Sequence, residues 1–165
     1  MIIFGIIGWK NSGKTHLVQK IISAINSKKL NVASIKHAHH SFDIDQPGTD
    51  SYLHRQSGAD QVIISSANRW AKITELKTLP EKKLSELVSE INSADVVIVE
   101  GFKNENHPKI EIIKEPDDES SYIFKKITNV VALVSDKNIN SFENKQFKKN
   151  EINEIVNFIL SKEYE

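Results

Sequence analysis

The sequence predicts an α/β protein of three layers, a mostly parallel central sheet between helices, with one antiparallel hairpin. Three observations carry this. An apolar run, Ile2 to Ile7, leads into Gly8-Trp9-Lys10-Asn11-Ser12-Gly13-Lys14-Thr15, and an apolar stripe at helical spacing follows (Leu17, Val18, Ile21, Ile22, Ile25). Strand-like and helix-like segments then alternate, as parallel sheets with crossover helices require. Finally Val96-Val97-Ile98-Val99 is a fully apolar run that stops at a carboxylate, Glu100.

Taken in order, residues 2–7 read as the first strand and about 14–28 as the first helix. Residues 31–36 read as a second strand, parallel to the first through a right-handed crossover. The polar stretch from Lys36 to Gly48 carries Pro47-Gly48 and mixed charges, which says loop. Thr49 or Asp50 is placed to cap a short helix through Gln56, ended by Gly58. Gln61–Ser65 and Trp70–Leu76 read as strands joined by the short turn 66–69, hence a hairpin. Pro80 is expected to open a helix whose apolar face is Leu84, Leu87, Val88 and Ile91. Residues 95–101 form a buried strand. Lys109 to Lys114 alternates charged and apolar residues and reads as a half-exposed strand. A charged loop (115–121), a buried strand (129–134) and a last helix (about 151–161) complete the chain. No repeat or domain-sized linker interrupts it, so residues 1–165 are expected to be one nucleotide-binding domain.

Composition narrows the function classes. The 22 basic and 22 acidic residues balance, so there is no global attraction to nucleic acid or to an anionic membrane. Only Arg55 and Arg69 are arginines, which argues against a reader of phosphate backbones. The absence of cysteine removes disulfides, thiolate zinc sites and a Cys nucleophile. The apolar start has no basic leader and runs straight into the glycine motif, so it reads as a strand and not a signal peptide. No apolar run approaches the roughly 20 residues of a membrane span. The expected location is the cytoplasm.

Residues 8–15 spell G-x-x-x-x-G-K-T, the Walker A pattern or P-loop, and they stand between strand and helix where its chemistry needs them. That points to the P-loop NTPase fold. The glycines let backbone N–H groups wrap a phosphate chain at the helix N-terminus. Lys14 is expected at the β/γ-phosphates and the Thr15 hydroxyl on Mg2+, with Trp9, Lys10, Asn11, Ser12 and His16 around the same phosphates. Glu100 fits a Walker B acid, at the strand end that faces the ligand crevice, and Gly101 lets the backbone approach the nucleotide. The plainer alternative is an acid that merely ends a strand.

The His37–Asp45 stretch holds three of the six histidines. Two functional readings compete with that of a solvated loop. His39 and Asp43 could ligate a metal, although zinc sites space their ligands more tightly. Alternatively the stretch is a switch-like loop, with Lys36 on phosphate and Asp43 or Asp45 on the Mg2+ water shell. Arg55 is a phosphate candidate or a surface residue. The guanine motif N-K-x-D is absent. Asp136, in Ser135-Asp136-Lys137-Asn138, ends a strand and is a candidate acceptor for guanine N1–H, or part of a turn.

Taken together, Gly8–Thr15, the block Lys36-His37-Ala38-His39-His40-Ser41-Phe42-Asp43-Ile44-Asp45-Gln46-Pro47-Gly48, Asp50-Ser51, residues 97–103 and Pro108-Lys109-Ile110-Glu111 resemble the molybdopterin-guanine dinucleotide biosynthesis protein B (MobB) family. The chain departs from that pattern at Ala38 and Thr49. The resemblance implies a GTP-binding protein with weak GTPase activity, usually a homodimer, that assists the molybdenum cofactor guanylyltransferase in joining GMP to molybdopterin. The hairpin at 61–76 offers a sheet edge compatible with a dimer. The competing hypothesis is a stand-alone P-loop kinase or nucleotidyltransferase. A kinase wants several arginines over the phosphates, and no second pocket with paired acids for an acceptor is evident in the sequence.

Overall fold

The structure, a computed structural model, describes residues 1–38 and 42–164. It separates into two compact units: residues 1–37 with 84–165, and residues 38–83.

The larger unit is built on a six-stranded sheet in which every neighbouring pair is parallel. Its elements are β1 (Ile2–Gly8), α1 (Lys14–Ser27), β2 (Val32–Lys36), α3 (Leu84–Ser89), β5 (Val96–Glu100), β6 (Lys109–Ile112), β7 (Val130–Val134), β8 (Lys145–Phe147) and α4 (Ile152–Ser161). The strand order is β2-β5-β1-β6-β7-β8. The pleat sends alternate residues to opposite faces. Phe4, Ile6, Ile98, Ile110 and Val134 meet Leu17, Ile21 and Ile25 of α1 and Ile155, Val156 and Ile159 of α4. On the other face Val97 and Val99 meet Leu84, with Leu87, Val88 and Ile91 packed around them. Ile7 and Leu133 meet Tyr122, Ile123 and Phe142. Helices on one side, and a helix plus loop segments on the other, make the three layers that the alternation implies.

Two local expectations are corrected, and one strand is new. The helix expected from Pro80 begins at Leu84. Pro80 permits a helix start but does not force one, and the apolar stripe that pays for ordering begins only at Leu84. The strand at 109–112 is not half-exposed. It lies between β1 and β7, and Lys109 and Glu111 are each 1% exposed. Lys109 Nζ donates to the carbonyls of Glu105 (2.7 Å) and His107 (2.8 Å). The Glu111 carboxylate accepts from the backbone N–H groups of Ile123 and Phe124, both at 2.8 Å. Buried charges survive because local backbone groups satisfy them. The short edge strand β8 was not expected from the sequence.

The smaller unit contains α2 (Asp50–Gln56) and an antiparallel pair, β3 (Gln61–Ser65) and β4 (Trp70–Thr74). The hairpin closes through Ser66, whose N–H donates to the Arg69 carbonyl at 2.9 Å. Gly58 ends α2 at φ 103°, a conformation in which a side chain is strained. Among the described residues of this unit, Val62 is the only buried hydrophobic one. Among the described residues of the chain, no helix is long and apolar enough to cross a membrane.

Candidate functional site

The carboxyl ends of β1, β2 and β5 meet in register: Ile6 and Lys36 both pair with Glu100. From the end of β1 the chain turns through Gly8–Gly13 into α1. Gly8 is required by close approach, since a Cβ there would lie 2.6 Å from Ser12 Oγ and 2.7 Å from the Ile112 carbonyl. Gly13 holds φ 98° and starts α1 with no side-chain cap, and no acid occupies the first turn. The first N–H groups of α1 therefore keep their capacity for an anion. The Ser12 hydroxyl is buried and has no hydrogen-bond partner. An orphaned donor in the wall of a glycine loop fits an absent oxyanion.

Around this loop the structure collects charge. Thr15 Oγ1 donates to Glu100 Oε1 at 3.1 Å. Lys36 Nζ stands 3.6 Å from the same carboxylate, which is mostly covered while the lysine is open. Lys14 Nζ folds back on the Trp9 carbonyl at 2.7 Å. Burial pushes the Lys14 pKa down; Glu100 opposes this, and the cations of Lys103 and Lys36 add to it. Lys36 and Lys103 thus both act on the Lys14 ammonium, and a polyanion relieves this repulsion. The hydroxyl–carboxylate pair of Thr15 and Glu100 supplies the oxygen donors that a hard cation prefers. Lys10, Asn11 and His16 lie in the loop and first turn.

Gly101 (φ 97°) and Phe102 (φ 49°) turn the chain sharply after β5. A Cβ on Gly101 would sit 2.8 Å from His37 Cβ, so the glycine gives His37 room to stack on the Phe102 ring (centroids 4.5 Å apart). This turn delivers Lys103 above the Trp9 indole at 4.6 Å. Beside the glycine loop, a cavity of about 230 Å³ is lined by Ser12, His16, Lys20, Lys114 and Lys149. Lys149 Nζ also holds Asp136 Oδ2 at 2.6 Å.

The other expected residues lie in the smaller unit. Arg55 is almost covered and is engaged by three carboxylates: Asp43 (2.7 Å), Asp45 (3.0 Å) and Glu75 (2.7 Å). Asp45 also accepts from Ser51 Oγ at 3.2 Å. The Arg55 bond holds the Asp43 carboxyl below its ordinary pKa, and Asp43 in turn raises that of the guanidinium. Arg55, a phosphate candidate or a surface residue by sequence, is thus held within this carboxylate cluster. Asp43 and Asp45, expected near Mg2+, are occupied by a guanidinium. His39 and His40 lie outside the described residues, and among the described ones no group of three His, Asp or Glu is disposed to hold a metal.

The model of the family described as "Molybdopterin guanine dinucleotide synthesis protein B" matches residues 3–136. The chain belongs to the MobB family. It is 36% identical over 134 residues to the molybdopterin-guanine dinucleotide biosynthesis adapter protein of Haemophilus influenzae, covering 77% of this chain and 74% of the relative. It is 40% identical over 109 residues to the adapter protein of the same description from Escherichia coli, and there the match spans 65% of this chain and 62% of the relative's length. A crystal structure of a molybdopterin-guanine biosynthesis protein B superposes with a TM-score of 0.77 at 28% identity, over 97% of this chain and 99% of that one. Bacillus subtilis MobB, at 24% identity and a TM-score of 0.78, shares the fold.

Within this MobB-family chain, sequence reasoning missed Lys103 and Lys149 as parts of the constellation. Lys103 had a signal, since it follows a strand-ending acid and a glycine turn. Lys149 had none, because only the short strand β8 brings it to the glycine loop.

Proposed function

We propose that this chain is a GTP- and Mg2+-binding adapter in molybdenum cofactor biosynthesis. It assists attachment of GMP to molybdopterin, while a partner guanylyltransferase carries the transfer. The observation that carries the reading is the open N-terminus of α1, with Thr15 and Glu100 paired at 3.1 Å and Lys14, Lys36 and Lys103 gathered around them. In this reading the N–H groups of Trp9 to Thr15 and the Ser12 hydroxyl take phosphate oxygens. Lys14 leaves the Trp9 carbonyl for the β/γ-phosphates, and Gly101 keeps the backbone close. Thr15 and Glu100 hold Mg2+, which neutralises phosphate charge. His16 and the cavity by Lys149 flank the nucleoside, with Asp136 as acceptor for the guanine edge. The relatives' description as adapters supports the role.

Hydrolysis by the chain alone is slow in this reading. An arginine finger typically contributes about 10³–10⁵ in rate. The larger unit contains no arginine, and of the two in the smaller one, Arg55 and Arg69, the first is held by three carboxylates. The chain works as a homodimer, paired through the smaller unit. That unit exposes Ile63, Ile64 and Trp70 on a two-stranded sheet, and among its described residues Val62 is the only buried hydrophobic one, which favours covering the hairpin with a second copy. The location follows the pathway, in the cytoplasm.

The test is reconstitution. Purified chain, Mg2+, GTP and molybdopterin are incubated with and without a molybdenum cofactor guanylyltransferase. The dinucleotide should form only when the transferase is present, and faster with the chain than without it. Dinucleotide made by the chain alone would overturn the adapter reading in favour of an enzyme.

A further inference from the structure

A second cavity, of about 460 Å³, adjoins the glycine loop at Trp9 and Lys10. Trp9, Lys10, Glu111, Lys114, Ser121 and Lys126 are among the residues that line it. Two ties fix its shape. Trp9 Nε1 donates to the Ser121 carbonyl, and the Glu111 carboxylate accepts from the N–H groups of Ile123 and Phe124. Burial raises the Glu111 pKa, so keeping its charge inside costs stability; the two N–H bonds and the cations of Lys103 and Lys126 offset this. The segment that the sequence presents as a charged loop is thereby pinned as a wall. Trp9 is not folded into the core. It stays 49% exposed, with Lys103 Nζ 4.6 Å from its ring centroid.

A flat indole at the rim, with Lys10, Lys114 and Lys126 nearby, recognises a particular chemistry. The indole stacks an aromatic ring system and the ammonium groups take an anion. Two acids line the same cavity, but Glu111 is satisfied by backbone, and Glu115 lies 3.7 Å from Lys114. The volume lies within the range of small-molecule sites, which is about 300–1,000 Å³. Because Trp9 and Lys10 are shared with the glycine loop, an occupant lies alongside the phosphates of a nucleotide bound there.

We propose that this cavity binds a phosphorylated pterin, so that the chain holds the acceptor of the nucleotide transfer as well as the nucleotide. The assignment rests on the adapter reading above for its choice of pterin among flat heterocycles. The ring stacks on Trp9 and the phosphate meets Lys126 and Lys114. The chain then presents both substrates to the transferase.

Isothermal titration of the full chain, saturated with Mg2+ and GTP, tests this with a 6-hydroxymethylpterin phosphate probe. One equivalent should bind without displacing GTP. Unphosphorylated 6-hydroxymethylpterin and inorganic phosphate should each bind at least tenfold more weakly. Lys126→Ala should weaken the probe at least tenfold and leave GTP affinity unchanged. Lys125→Ala, one residue away and directed to Glu119 and the Tyr122 ring, should change neither. No probe binding to GTP-loaded chain, displacement of GTP by the probe, equal binding of GMP in place of the pterin, or equal effects of the two lysine variants would overturn the proposal. Failure of GTP itself to bind in the same cell would instead remove the adapter reading.

Discussion

His107 sets a pH limit on the scaffold that carries the glycine loop. It lies just before β6, 6% exposed, with neither ring nitrogen hydrogen-bonded. The imidazole abuts β1, where a Cβ on Gly5 would fall 2.5 Å from Nε2. Burial, and after it the Lys109 cation, push its pKa down to about 4 against the opposing effect of the Glu105 backbone. An unfolded histidine titrates near 6.5. Between those values the unfolded chain binds a proton that the folded chain refuses, so stability is full above about pH 6.5 and falls as pH falls towards 4. Linkage puts the loss at pH 5, relative to pH 7.5, at about 2 kcal/mol, an upper figure because water admitted by local relaxation raises the folded pKa. Urea unfolding of the wild type and of His107→Leu, at pH 7.5 and pH 5.0 in one salt concentration, isolates this contribution. The wild type should lose about 2 kcal/mol more than the variant between the two pH values. Equal losses would refute the burial argument, whatever the absolute stability of the variant.

Three further outcomes follow from the proposed nucleotide site and the hairpin. Lys14→Ala should cost about 3 kcal/mol or more of triphosphate binding, roughly 100-fold, with an unchanged far-ultraviolet spectrum, because a charge-assisted contact is lost and no core packing is; unchanged GTP affinity in calorimetry would sink the phosphate reading. Glu100→Gln should weaken binding on the order of tenfold with Mg2+ present and little without it, and equal losses in both conditions would put Glu100 away from the metal. Ile63→Lys with Trp70→Lys should convert a dimer to a monomer by light scattering, since charge on both strands of an open sheet opposes pairing; a monomeric wild type, or a variant that stays dimeric, would refute the hairpin interface.

The sequence alone determined the parts of this protein that depend on local order. Gly8–Thr15 falls between an apolar run and an amphipathic stripe, so the loop and α1 could be located without any fold, and the Val96–Val99 run ending in Glu100 located the acid. The family was legible for the same reason, since its marks are short blocks of consecutive residues. What only the tertiary structure decided is which charges share a space. Lys109 and Glu111 alternate with isoleucines and read as an exposed face, yet β6 sits between two strands under cover on both sides. Arg55 reads as a phosphate candidate or a surface residue, and only the fold shows it held by Asp43, Asp45 and Glu75, up to 20 residues away. Trp9 and Ser121 are separated by 112 residues and wall one cavity. Periodicity reports which residues face away from water within one element. Strand order, crossover and loop course decide what they face, and those are set by the packing of the whole core.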